Sequence, residues 1–109
     1  MKVVYCKAGC DPAIKEIDGS LESMQSLVGG YLECAPIGDY TVIGNELIVC
    51  NEEGKIAELP PNLFIKNEGE IVDIIFGDFF VIGEGSDGEF VGLNDKQIDE
   101  YMMLFRKYV

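Results

Sequence analysis

Apolar residues change their spacing along this chain, and each change marks an element. Leu21, Met24, Leu27 and Val28 recur every three or four positions, which places them on one face of a short helix. Ser20 stands where an N-cap oxygen is needed, and Gly29-Gly30 follows as a stop, because glycine enters the left-handed C-cap conformation without a side-chain clash. Tyr31 to Pro36 then reads as a strand, with Pro36 marking its end or a sheet edge.

The segments around this unit must supply a sheet to cover it. Lys2 to Lys7 predicts a first strand, with Val3 and Tyr5 on one face and Val4 and Cys6 on the other. Ala8 to Pro12 carries turn chemistry, Ala13 to Ile17 pairs back, and Asp18-Gly19 leads into the Ser20 cap. Ile37 to Glu46 reads as a short strand or an extended loop. Leu47 to Cys50 is a strong strand, Asn51 to Gly54 a turn, and Lys55 to Glu58 its return, the clearest hairpin in the pattern. Leu59 to Asn62, with two prolines, reads as a rigid connector, and Leu63 to Ile65 as a short apolar segment docking on the core.

Beyond a polar loop at Asn67 to Glu70, Ile71 to Phe76 reads as a short helix or strand and Asp78 to Glu84 as a buried strand. Gly85 to Gly88 turns the chain and Glu89 to Gly92 pairs back. Asn94 and Gln97 form a capping box that opens a last helix, whose apolar stripe is Ile98, Tyr101, Met102, Phe105 and Tyr108. Asp95, Asp99 and Glu100 suit the start of that helix, and Arg106 and Lys107 its end. The expected fold is α+β: one domain over residues 1–109, a mostly antiparallel sheet with two helices packed on one face.

Length and charge narrow what such a domain does. The 109 residues suffice for a single core. No apolar run approaches the roughly 20 residues that span a bilayer; the longest, Ile71 to Gly85, is broken by Asp73, Gly77 and Asp78. The strand-like amino terminus is unlike a signal peptide, so the expected location is the cytoplasm. Twenty acidic and eight basic side chains leave a net charge of −12. That field repels phosphates, so no direct grip on nucleic acid or on an anionic membrane is expected. The charge serves either solubility or mimicry of a polyanion toward a basic partner.

No residue set announces catalysis. The chain has no histidine, which removes the commonest general base and metal ligand and any Cys–His arrangement. Cys6, Cys10, Cys34 and Cys50 lack the paired short spacings of a zinc site and read as reduced thiols. The acids Glu52 with Glu53, and Asp73 with Asp78, are the conceivable carboxylate pairs, read first as solvated turn residues. Asp87, Asp95 and Asp99 do not make the alternating oxygen-ligand loop of a calcium hand. Gly83 to Gly88 fits a dinucleotide-binding pattern by letter but leads into a strand, so it reads as a hairpin turn. No catalytic residue, metal or cofactor is assigned. A ligand pocket is conceivable beside the helix stop, lined by Gln25, Gly29, Gly30 and Tyr31, with Tyr40 as a further aromatic wall.

An ordered set of motifs adds a context. Ile17-Asp18-Gly19-Ser20-Leu21, Gln25 to Glu33, Asn51 to Lys55, Leu59-Pro60-Pro61-Asn62, Asp73 to Gly77 and Phe90 to Gln97 together resemble a family of small proteins of unknown function from bacteria, their phages and mobile elements. The resemblance covers nearly the whole chain and implies no known activity, so it assigns no functional residue. It implies an accessory setting, anti-defence among the roles. The expected function is therefore that of a small acidic, non-enzymatic accessory protein that binds another protein, with homodimerisation left open. The alternatives are a small-ligand binder of nucleotide type and, after it, a carboxylate-dependent enzyme.

Overall fold

Residues 1–107 are described by the computed structural model. In chain order, β1 (Lys2–Cys6) and β2 (Ala13–Glu16) lead to helix α1 (Leu21–Val28) and β3 (Leu32–Pro36). A 3-10 turn at Gly38–Tyr40 precedes β4 (Glu46–Asn51). The hairpin of β5 (Pro61–Asn67) and β6 (Glu70–Phe76) follows, then β7 (Phe79–Glu84), β8 (Phe90–Val91) and helix α2 (Asp95–Leu104).

The main sheet runs β2-β1-β7-β4-β3, with β8 joining β7, and every pairing in it is antiparallel. Its inner strands are apolar on both sides, and the two sides bury different things. Val4, Cys6, Ile48, Cys50, Phe79 and Val81 face α2 and the β5–β6 hairpin, packing with Ile98, Tyr101, Phe105, Leu63, Ile65 and Ile75. Val3, Val49, Phe80 and Ile82 face α1, packing with Met24 and Val28. The α+β class and the antiparallel sheet are as the pattern predicts, but the helices do not share a face. Each covers one side, because the unbroken apolar runs in β1, β4 and β7 leave two faces to bury.

Helix α1 begins as expected: the Ser20 hydroxyl oxygen accepts from the Ser23 amide at 3.1 Å. It ends at Gly29, at φ 79°, whose amide donates to the Gln25 carbonyl at 2.8 Å. Leu21, the first member of the predicted stripe, is exposed. The capping box of α2 is complete: Gln97 N–H donates to Asn94 Oδ1 at 2.8 Å, and Asn94 N–H to Gln97 Oε1 at 2.9 Å. Arg106 and Lys107 lie past the end of this helix, whose last turn holds no basic residue. Tyr108 lies outside the described residues.

Five stretches depart from the pattern or settle what it left open. Lys55 to Glu58 is not a strand: residues 52–58 form successive turns, with Ala57 N–H donating to the Glu53 carbonyl at 2.8 Å. The reason is topological, since β4 already pairs with β3 on one edge and β7 on the other. The proline connector gives way at Pro61, which starts β5, a position where a missing N–H costs no ladder bond. Leu63 to Ile65 and Ile71 to Phe76 are the two strands of one hairpin, closed by Glu68 and Gly69, both at positive φ as a type I′ turn requires. Tyr40 ends the 3-10 turn and Thr41 to Ile43 is loop, so this stretch forms no strand.

Candidate functional site

At the helix stop, Gly30 and the Tyr31 carbonyl take part in a joint between α1 and β4. Gly30 faces the Asn51 side chain so closely that a Cβ there would sit 2.8 Å from Asn51 Nδ2. Asn51 Nδ2 in turn donates to the Val28 carbonyl at 3.3 Å, and Glu52 N–H donates to the Tyr31 carbonyl at 2.8 Å. These bonds fasten the end of α1 to the end of β4. The Tyr31 ring is 68% exposed, and Gln25 is half-buried on the helix. Tyr40 is spent elsewhere: its hydroxyl donates to the Phe64 carbonyl at 3.3 Å and its ring meets Phe105 edge-on.

The other chemical candidates are dispersed. Cys6 and Cys50 are buried, Cys10 and Cys34 exposed, and among the described residues no group of three or more Cys, Asp or Glu is arranged to hold a metal ion. Asp78 accepts from the Ala8 amide at 2.9 Å and the Tyr5 hydroxyl at 3.1 Å, whereas Asp73 meets Lys55. The glycines at 85 and 88 turn the chain between β7 and β8, with Gly85 N–H donating to the Glu89 carbonyl at 2.7 Å.

A cleft of about 260 Å³ opens where β6 crosses above the β3–β4 edge of the sheet. Ala35 and Cys50 line it from the sheet, Ile74, Ile75 and Phe76 from β6, and Ile56 from the turns after β4. Burial raises the Cys50 thiol to about 12, with Glu33 and Asp73 adding to the effect, so the floor presents a neutral thiol. Three carboxylates, Glu33, Glu52 and Asp73, also line the cleft, beside one cation, Lys55. Lys55 Nζ is 3.2 Å from Asp73 Oδ1 and 6.0 Å from the centre of the Phe76 ring. Asp73 Oδ1 also accepts from the Ile74 amide at 2.8 Å, which fixes the carboxylate along β6.

Apolar side chains on the cleft and beside it are open to water. Ile56, on the cleft wall, is 85% exposed, and Val72 (61%) and Ile71 (58%) line an adjoining groove that shares Lys55, Asp73, Ile74 and Phe76 with the cleft. Val72 is the extra residue of a bulge, since Ile65 pairs with Asp73 and Lys66 with Ile71. Two isoleucines and a valine open to water in adjoining depressions make a contact surface, and the Lys55–Asp73 ion pair that lines both adds a charged handle. The cleft was not assigned from sequence. Its traces there are an isoleucine in an otherwise polar turn and a run, Ile71 to Phe76, with more apolar side chains than one buried face uses.

Among the described residues no helix is long and apolar enough to cross a membrane. No curated protein and no solved structure matches the chain at a significant level. The model of a domain of unknown function, DUF3846, matches residues 1–106, and the chain belongs to that family.

Proposed function

We propose that this protein is a non-enzymatic accessory protein that works by contacting another protein through the cleft between β6 and the β3–β4 edge. The observation that carries the reading is the solvent exposure of Ile56 on the cleft wall and of Ile71 and Val72 in the groove that adjoins it, in a chain of net charge −12. The residues of the helix-stop joint are engaged in holding α1 to β4, which gives the small-ligand alternative less support. The cleft carboxylates lie beside a neutral thiol and no histidine, which gives the enzymatic alternative less still. The likeness to small proteins of phages and mobile elements supports an accessory role, anti-defence among the possibilities, carried out in the cytoplasm.

Site-specific photo-crosslinking in the host cell tests it. A crosslinking residue at position 56 or 72 is expected to trap a discrete protein adduct, and one at Lys15, on the opposite sheet edge, to trap none. Adducts of equal yield from Lys15, or none from 56 and 72, would overturn the proposal.

A further inference from the structure

Resting on that reading, we infer that the cleft receives an arginine or lysine from an extended segment of the partner protein, and that Lys55 stands in the position this side chain would take. The Lys55 ammonium already meets both groups that an incoming cation would use, the Asp73 carboxylate at 3.2 Å and the face of Phe76 at 6.0 Å. Ala35, Ile56 and Ile74 supply apolar walls for a long aliphatic stem, while Glu33 and Glu52 leave the lining acidic. The internal ion pair is weakly held, because both side chains are open to water and their attraction is screened. A guanidinium, flat and able to bond a carboxylate through two N–H groups, competes well against a single ammonium.

The surroundings suit an extended partner. Strand β6 belongs to a two-stranded sheet, so among the described residues one of its edges carries no strand. A segment laid beside that edge puts alternate side chains toward the cleft. The net charge of −12 draws cationic segments in and repels acidic ones.

The probe is an N-acetylated, C-amidated pentapeptide, Val-Arg-Val-Arg-Val, and its control carries citrulline at both arginines, nearly the same shape without charge. Binding to isotope-labelled protein is followed by amide shifts. The arginine peptide should move the amides of Ile56, Ile74 and Phe76 and bind about tenfold tighter than the citrulline peptide. Lys55→Met and Lys55→Gln should tighten arginine-peptide binding by about threefold or more, and Asp73→Asn should weaken it by about tenfold. Equal affinity for the two peptides, or unchanged or weaker binding by both Lys55 variants, would overturn the inference. So would shifts centred away from the cleft. The parent reading fails differently: if position 56 or 72 traps a partner whose crosslinked segment has no basic residue, only this inference is lost, and if neither traps anything, both are.

Discussion

Gln97 and Glu46, 51 positions apart, are joined by a 2.7 Å hydrogen bond from the Gln97 side-chain amide to a carboxylate that is only 5% exposed. The same carboxylate accepts from three successive backbone amides, Val42 at 3.2 Å, Ile43 at 2.8 Å and Gly44 at 3.1 Å. Four donors compensate a buried charge that would otherwise be costly. The bond also locks the start of α2 to the start of β4, since the Gln97 oxygen takes the Asn94 amide of the capping box. Gln97→Leu removes a donor to a charged group and half of that box together. We expect a loss of about 2–4 kcal/mol in urea unfolding with the slope unchanged, against less than about 0.5 kcal/mol for the exposed control Lys96→Ala.

The same carboxylate sets an acid limit. Burial acts to raise the Glu46 carboxyl, but the bonds from Gln97 and the amides of Ile43, Gly44 and Val42 outweigh it and hold it below the ordinary carboxylate range. The unfolded chain therefore binds more protons there than the folded one. Stability from this group is full above about pH 4.3, the unfolded value, and is lost as pH falls through the lower folded value. Unfolding midpoints should hold level from neutral pH to that point and then drop. Glu46→Gln should lower the neutral plateau and flatten the acid limb. A limb of unchanged steepness in that variant would show that other carboxylates govern it.

The four thiols should divide into two classes. Burial raises Cys6 and Cys50 to about 12, so at pH 8 they are neutral as well as covered. Cys10 and Cys34 are exposed, and for Cys34 partial burial and the nearby Glu84 and Glu33 also raise the thiol. Iodoacetamide at pH 8 should modify Cys10 first and Cys34 more slowly, with Cys6 and Cys50 reacting only when the chain is unfolded, as read by peptide mass spectrometry. The sign at alkaline pH follows. The stability held by neutral Cys6 and Cys50 is complete below their unfolded value near 8.5, and it declines as pH rises toward about 12.

Both helices, the inner strands and the two caps were legible because their signals are local. Ser20, Gly29 and the Asn94–Gln97 box each act within four residues. The sidedness was also written in the chain, though less directly. Phe79 to Ile82 and Ile48 to Cys50 have no polar alternation, and a strand buried on both faces needs a cover on each. The false hairpin at Lys55 to Glu58 had sound turn chemistry but no vacant edge on β4, a fact fixed by β3 and β7 from far along the chain. The cleft is non-local for the same reason. Asp73 meets Lys55 only after β5 and β6 pair and lie across the sheet.

That placement depends on Gly38 and Asp39, and a pair of glycine substitutions isolates it. Asp39 accepts from the amides of Glu68 at 2.8 Å and Gly69 at 2.9 Å, so its carboxylate clamps the turn between β5 and β6. Gly38 has φ 65°, and a Cβ there would collide with the Lys66 carbonyl oxygen, which is backbone and cannot swing away. Gly29 has a similar φ of 79°, but a Cβ there meets nothing within 4 Å. Gly29→Ala should therefore cost the left-handed strain alone, about 1–2 kcal/mol. Gly38→Ala should cost that plus the displacement of β5, about 3 kcal/mol or more. Only the second change moves the strand paired to β6, so it should also abolish the Arg-peptide shifts at Ile74 and Phe76 while Gly29→Ala leaves them intact. Equal stability losses in the two variants would show that the hairpin is not held by this close approach.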